Sequence, residues 1–252
     1  MNKLGLYRAY SFLHLFIMDV ILVSISAIII LLLLGFRKIV NLFLIKIIFG
    51  EFSFKYISKF KHYTNKKPHA YCFKDDFFYH ILAVKNALKC KIVYKADKVF
   101  DFDGLDFNKS FKQILGENGQ PDCFTMSNEK EIPLKVAGYK STMFHSHEKT
   151  LHYFCENYYF MGEYVFSSLA DDTSKLIIDT MKKEFDIELE YAKNFAVIDP
   201  KGNYLFFTDT GFFLSIKFFN SNNNVIKSII EFTNDNEEKK ANILSTFGGL
   251  SC

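Results

Sequence analysis

The feature that most constrains this chain is an uncharged apolar run near its N-terminus. Val20 to Phe36 has the sequence VILVSISAIIILLLLGF. Its length lies at the lower bound for a helix that crosses a bilayer, about 17–25 residues. A helix made from it is apolar on all sides, as a lipid-exposed segment must be. We expect an uncleaved transmembrane anchor that includes Val20, Ile28, Leu34 and Phe36.

A cleaved signal peptide is the competing interpretation of this run. Such a peptide needs a small-residue cleavage site of the A-x-A kind. Here Arg37 and Lys38 follow the run directly and no such site is present. Extending the helix back to Phe12 brings Asp19 to the membrane. We expect this carboxylate to lie near the headgroups, because an ionisable group inside a span is costly.

The charge is divided unevenly along the chain. Residues 1–69 contain ten Lys or Arg and two acids, for a sum of +8, whereas residues 70–252 contain 21 lysines and 26 acids, for a sum of −5. More basic residues follow the apolar run than precede it, which predicts a cytoplasmic position for the large domain. The acidic balance of that domain, which contains no arginine, argues against nucleic acid as a partner.

A second apolar stretch, Ile39 to Phe54, leaves two arrangements open. If it also spanned the bilayer as the return arm of a hairpin, Lys46 would lie near mid-membrane at a cost of about 2.5–3.5 kcal/mol. We therefore favour a helix that lies in the interface. The predicted organisation is an anchor segment over 1–36, a basic juxtamembrane segment and linker over 37–69, and a globular domain over 70–252.

The five cysteines are odd in number and widely spaced. Free thiols are normal in a reducing cytoplasm, and this pattern agrees with the predicted side. The pattern also leaves the opposite side open, because four of the five could pair. They are Cys72, Cys90, Cys123, Cys155 and Cys252.

Turn residues after position 120 predict antiparallel hairpins. Strand-like segments flank Glu156-Asn157, and another pair flanks Asp199-Pro200-Lys201-Gly202. The second turn is strongly indicated, because proline presets φ and glycine accepts a positive φ. Further predicted elements are strands at Phe212–Phe219 and Val225–Phe232, and helices at Ser174–Phe185 and Asp235–Phe247.

Helices and strands do not alternate as a doubly wound α/β domain requires. The predicted fold class is therefore α+β. We expect an N-terminal transmembrane helix, then a mainly antiparallel sheet with a few helices packed on one of its faces. The 30 phenylalanines and 14 tyrosines can fill such a core, because aromatic residues suit half-buried pleated surfaces.

The sharpest chemical motif is Val99-Phe100-Asp101-Phe102-Asp103-Gly104. It resembles the first motif of the haloacid dehalogenase-like phosphatases, an apolar strand ending in D-x-D-G. The resemblance implies Asp101 as nucleophile and Asp103 as general acid/base, both near Mg²⁺. The competing interpretation is a strand that runs into a polar turn. It explains the same residues without chemistry.

A second candidate site is a group of possible metal ligands. On a strand His145 and His147 would share a face, and His152 and Cys155 follow them. Imidazole and thiolate are zinc ligands, but no standard zinc spacing matches. Exposed histidines at a hairpin tip are the alternative explanation.

No recognisable catalytic or cofactor-binding set accompanies the anchor, which favours a non-enzymatic function. The leading hypothesis is a membrane-anchored binding, sensor or accessory domain at a bacterial inner membrane. It would contact the lipid bilayer and another protein, and an immunity-type protein is one specific version. The alternative is a membrane-bound Mg²⁺-dependent phosphohydrolase that uses Asp101 and Asp103.

Overall fold

The computed structural model divides into two compact units, Met1–Pro68 and His69–Cys252. The residues it describes are 3–73, 77–107, 109–127, 133–143, 146–155, 157–167, 172–228 and 230–231. The predicted helix at Asp235–Phe247 lies outside these residues.

The N-terminal unit consists mainly of one long helix, α1, which runs from Lys3 to Phe49. Within it, Met18–Phe49 is long and apolar enough to cross a membrane, and this stretch is not buried against other parts of the chain. A separate interfacial helix over 39–54 is wrong, and so is a hairpin of two spans, because the helix continues through both apolar stretches. No proline interrupts them, and the first break comes at Gly50, where φ is 81°.

A second, basic helix, α2, follows at Phe54–Thr64 and packs against the end of α1. Ser53 caps it by accepting a hydrogen bond from the Tyr56 N–H at 3.2 Å. Asn41 on α1 donates to the Tyr63 hydroxyl at 3.0 Å, and the Lys55 ammonium lies 4.1 Å from the centre of the Phe49 ring. These contacts place Lys55 of α2 beside the apolar last turn of α1.

The described residues of the C-terminal unit form one eight-stranded sheet in the order β1-β6-β7-β8-β5-β4-β3-β2. All neighbouring strands are antiparallel except β1 and β6. The strands are β1 Val93–Lys95, β2 Cys123–Met126, β3 Leu134–Met143, β4 Ser146–Cys155, β5 Tyr158–Ser167, β6 Asn194–Ile198, β7 Asn203–Asp209 and β8 Phe213–Asn220. The helices are α3 Phe77–Leu88, α4 Phe111–Asn118 and α5 Thr173–Phe185.

The mixed α and β composition and the mainly antiparallel sheet are confirmed. Both predicted hairpins form, as β4–β5 and β6–β7. The predicted strand at Val225–Phe232 is wrong, because residues 224–228 are helical. Ile226 is fully buried and Ile230 packs against the same core. They are four residues apart, which places both on one face of this helix.

Helices pack on both faces of the sheet, which corrects the expectation of one covered face. On the first face, Val84 and Ala87 of α3 join the core with Val136 and Tyr153. On the second face, Phe111 of α4 packs edge-on against Phe154 at 4.9 Å. Phe185 of α5 packs through Phe100 onto Phe218 of β8. The sheet is therefore buried on both sides.

A disulfide joins Cys72 to Cys123, with their Cα atoms 4.9 Å apart. It ties the first residues of the C-terminal unit to β2, which is an edge strand. Both residues are buried. Of the two alternatives that the cysteine pattern left open, pairing is therefore found for Cys72 and Cys123, whereas Cys90 and Cys155 form no disulfide.

A buried polar network crosses the centre of the first face. Glu163 on β5 is 2% exposed and Lys217 on β8 is 6% exposed. The Lys217 ammonium donates to Glu163 at 2.5 Å, and Ser215 donates to the same carboxylate oxygen at 2.6 Å. The Tyr153 hydroxyl donates to the other oxygen. His80 of α3 lies 3.8 Å from that oxygen.

The charge state of this network follows from its contacts. Burial alone raises the pKa of the Glu163 carboxyl, but the charge of Lys217 and the hydrogen bond and charge of His80 hold that pKa well below its usual range. Burial and the negative charge of Glu163 raise the pKa of Tyr153. Glu163 is thus a carboxylate and Tyr153 a neutral donor at neutral pH.

Two fully buried tyrosines provide a matched test of this network. Tyr153 donates to the Glu163 carboxylate, whereas the Tyr159 hydroxyl has no hydrogen-bond partner among the described residues. We expect Tyr153→Phe to lower the free energy of unfolding by about 1.5–3 kcal/mol, because a hydrogen bond to a charged group is lost. Tyr159→Phe should leave that free energy unchanged or raise it. Urea unfolding of the detergent-solubilised chain, followed by near-ultraviolet circular dichroism, measures both, and equal losses would contradict the assignment.

Candidate functional site

The D-x-D-G motif forms a tight two-residue turn on the second face of the sheet. Phe102 and Leu105 pair as an isolated β-bridge, and Asp103 and Gly104 between them have φ values of 54° and 67°. Asp101 stabilises the turn by accepting a hydrogen bond from the Gly104 N–H at 2.9 Å. Residues able to take positive φ at both central positions are what this turn requires.

Phe102 fixes the turn against the sheet. Its side chain is fully buried and lies directly over Gly162 of β5, where any Cβ would overlap the ring. On the same side of the turn, the Tyr164 hydroxyl donates to the Asp103 carboxylate. Burial raises the pKa of Asp103, although the hydrogen bond from Tyr164 opposes that shift.

This setting differs from the one that the phosphatase resemblance implies. Asp103 lies in a turn between the bridged residues Phe102 and Leu105, and Asp101 directly precedes that bridge; neither lies at the end of a strand in a parallel sheet. Asp101 is occupied in capping Gly104 and Asp103 in binding Tyr164. The two carboxylates therefore have structural partners. Within the described residues, no three His, Cys, Asp or Glu side chains come together as a metal ion would require.

Hydrogen bonds also join the motif loop, residues 99–107, to the β6–β7 turn. Asp199 is buried and accepts hydrogen bonds from the Phe100 N–H at 3.1 Å and from the Asn203 amide at 2.7 Å. Asn203 also donates to the Phe100 carbonyl at 3.1 Å and accepts from Asn220 at 2.7 Å. The loop is thereby held in place by both hydrogen-bonding groups of the Phe100 backbone.

Between the motif loop and the β6–β7 turn lies an open cavity of about 580 Å³. Three separate segments form its wall: the loop before α4, the β6–β7 turn with the start of β7, and the end of β8 with the helical residues after it. Its lining residues are Val99, Phe100, Asp101, Leu105, Asp106, Phe107, Lys201, Asn203, Asn220, Asn222, Asn223 and Asn224.

The lining is polar and nearly balanced in charge. Five of the twelve lining residues are asparagines, and the ionic groups are Asp101, Asp106 and Lys201. A side-chain amide both donates and accepts hydrogen bonds, so asparagines can satisfy ligand groups that do the same. Phe107 adds a half-buried aromatic ring that stacks on Tyr159 at 5.4 Å.

Of the candidate metal ligands, His152 and Cys155 are both described, and they lie on opposite faces of the sheet. His152 lies on the second face, next to Phe102 and Tyr139. Cys155 lies on the first face, packed against the core that contains Tyr153. His147 is five positions before His152 on β4, a separation of about 16 Å along a strand. His145 lies outside the described residues.

Several residues of these sites escaped the sequence argument. In the sequence the asparagines at 222–224 indicate no more than a turn, and Asn203 and Asn220 stand out in no pattern. Glu163 and Lys217 could have been found, because each is the one charge inside a long apolar strand segment. A charge in the middle of a strand that is buried on both faces needs a buried partner.

No protein-family model, no curated protein and no solved structure matches the chain. Its function must therefore be inferred from its own residues and their geometry.

The buried position of His152 predicts an acid-sensitive fold. Burial lowers the pKa of His152 to about 4 from the usual 6.5, so the folded state keeps the ring neutral while the unfolded state takes up a proton. As the pH falls from 6.5 to about 4, the free energy of unfolding should decrease by about 1.4 kcal/mol per pH unit. At lower pH both states bind the proton, so the contribution of His152 should stop changing. Urea unfolding of the full chain at several pH values measures it.

His152→Gln is the matched variant for this measurement. It keeps a hydrogen-bonding group near Asn118, which lies 3.4 Å from the imidazole Nε2, and it removes the proton site. For each protein the free energy of unfolding is plotted against pH. The difference between the two slopes gives the contribution of His152, separate from those of other titrating groups. Identical slopes would show that His152 is not the acid-sensitive group.

Proposed function

We propose that the chain is a membrane-anchored, non-enzymatic binding or sensor domain, and that it takes a small, uncharged, hydroxyl-rich ligand in the asparagine-lined cavity. The observation that carries the proposal is the convergence of polar side chains from three segments on one cavity of about 580 Å³. Ligand sites commonly have volumes of about 300–1,000 Å³, with a few convergent polar groups.

The chemistry of the lining favours this ligand class over a charged one. Two carboxylates and one ammonium nearly cancel, so neither a strong cation nor a strong anion is preferred. Hydroxyl groups donate and accept hydrogen bonds, as asparagine amides do. Saccharides and polyols meet these requirements, and the half-buried ring of Phe107 in the lining offers an apolar contact for the C–H groups of a sugar ring.

The rigid setting of the cavity supports binding rather than a moving catalytic loop. Asp199, Asn203 and Asn220 fix one wall through buried or half-buried hydrogen bonds. A site held in its binding conformation before the ligand arrives loses less entropy on binding. The proposed membrane attachment rests on α1, whose segment Met18–Phe49 has the length and hydropathy of a span.

Ligand binding is tested with the detergent-solubilised full chain and a panel of monosaccharides, disaccharides and polyols. We expect saturable binding of at least one panel member in saturation-transfer NMR. Asn224→Leu should weaken it roughly tenfold or more, because an amide that makes two hydrogen bonds contributes about 1–3 kcal/mol. Asn194→Leu is the matched control, since Asn194 lies on the first face of the sheet, away from this cavity.

Two results would contradict the proposed function. One is the absence of binding across the panel, or equal effects of Asn224→Leu and Asn194→Leu. The other is Mg²⁺-dependent phosphatase activity of the purified chain that Asp101→Asn abolishes, which would favour the phosphohydrolase instead.

Membrane attachment is tested by alkaline carbonate extraction of membranes that contain the full chain. We expect the chain to stay in the pellet. The pair Val23→Lys and Ile29→Lys should release it or block its insertion, because each lysine near the centre of a span costs about 2.5–3.5 kcal/mol. The same changes at Val93 and Ile92, which are exposed positions of the globular unit, should have no effect. Release of the unaltered chain by carbonate would argue against a span.

A further inference from the structure

Two features of the chain disagree about the side of the membrane on which the globular unit lies. The basic residues after the apolar run predict the cytoplasm. The Cys72–Cys123 disulfide predicts the opposite side, because structural disulfides persist in oxidising compartments. The two cannot both determine the location.

The charge count is the weaker of the two features. The apolar stretch Met18–Phe49 contains 32 residues, whereas a span needs about 20. Arg37, Lys38 and Lys46 lie inside this stretch, so whether they flank the span depends on which part of the helix crosses the bilayer. Five lysines follow the stretch before residue 70, and two basic residues, Lys3 and Arg8, precede it. This excess biases the orientation without fixing it, since long domains are translocated largely regardless of charge, whereas a structural disulfide requires an oxidising compartment.

The surroundings of the disulfide are built to hold two sulfur atoms. Gly138 of β3 lies opposite Cys123 in the sheet register. A Cβ at residue 138 would stand 3.0 Å from the Cys72 sulfur and closer still to the Cys123 sulfur. Because glycine has no side chain, residue 138 leaves room for the disulfide. Any other residue there would displace at least one sulfur.

Backbone hydrogen bonds bring the two cysteines together independently of the bond itself. The Phe124 N–H donates to the Ala70 carbonyl at 2.8 Å, and the Cys72 N–H donates to the Thr125 hydroxyl at 2.9 Å. The Cys72 carbonyl accepts from the Lys149 ammonium at 2.8 Å. The segment before α3 thus lies along β2 with its cysteine already in bonding range.

The pair lacks the properties of a redox sensor. Cys72 is 4% exposed and Cys123 is 3% exposed, whereas sensor cysteines are accessible to solvent and to their reductants. Once the disulfide has formed, its buried sulfur atoms are protected from exchange with soluble thiols. These features are typical of a permanent structural disulfide.

We propose that Cys72 and Cys123 form a permanent disulfide during folding, and that the unit His69–Cys252 therefore lies on the oxidising, non-cytoplasmic side of the membrane. The required co-reactant is a thiol–disulfide oxidant of that compartment. One cysteine thiolate attacks the oxidant's disulfide to form a mixed disulfide, and the second cysteine thiolate displaces the oxidant. The two protein thiols lose two electrons and two protons, and the oxidant's disulfide is reduced to two thiols.

The disulfide is tested on the full chain in cells that are quenched with acid before thiol exchange can occur. Free thiols are then counted by the gel shift of a maleimide polymer, before and after reduction. We expect reduction to expose two further thiols. Cys72→Ser and Cys123→Ser should each abolish this gain, whereas Cys155→Ser, which removes a cysteine that forms no disulfide, should leave it at two.

The side of the membrane is tested separately, in intact spheroplasts of a bacterial host. A membrane-impermeant maleimide should label the chain before lysis, and Cys90→Ser should reduce the labelling, because Cys90 is a partly exposed free thiol. Labelling only after lysis would overturn the proposal, whether or not the disulfide is present. Direct alkylation of Cys72 and Cys123 in quenched cells, without reduction, would overturn it as well.

Discussion

The buried pair of Glu163 and Lys217 is the interaction on which the rest of the sheet depends. Two opposite charges inside a protein lose their hydration, and only close pairing with further hydrogen bonds offsets that loss. Tyr153, Ser215 and His80 supply these contacts from β4, β8 and α3. A shift of β5 by one residue would move Glu163 to the aromatic second face, unpaired. The network therefore fixes the register of the three central strands and the position of α3.

The same strand connects this network to the candidate site. Glu163 points to the first face and its neighbour Gly162 lies on the second, where it receives the Phe102 ring. Phe102 is the anchor of the Asp101–Gly104 turn, and that turn forms part of the cavity wall. The register that pairs Glu163 with Lys217 also determines where the turn sits. A polar constraint on one face and an aromatic contact on the other thus position the cavity together.

Local chemistry made part of this fold predictable from the sequence. Asp199-Pro200-Lys201-Gly202 specified its hairpin because the turn conformation is encoded by those four residues, and β6 and β7 pair around it. Val225–Phe232 was misassigned, because a short apolar run fits a strand or a buried helix equally well. In the structure residues 224–228 are helical, and Ile226 and Ile230 pack on the first face. The cavity and the cysteine pair join residues far apart in the chain, so no local pattern could indicate them.

The position of the disulfide also determines how the globular unit responds to a pulling force. Tension applied through the N-terminal unit reaches Cys72 within four residues of the unit boundary at His69 and passes through the covalent bond to Cys123. The segment between the two cysteines, which contains α3, β1 and α4, lies outside this load path. An edge strand held only by hydrogen bonds can be peeled away one pair at a time. Here the covalent bond carries the load first, so the N-terminal unit can be pulled without unravelling the intervening segment.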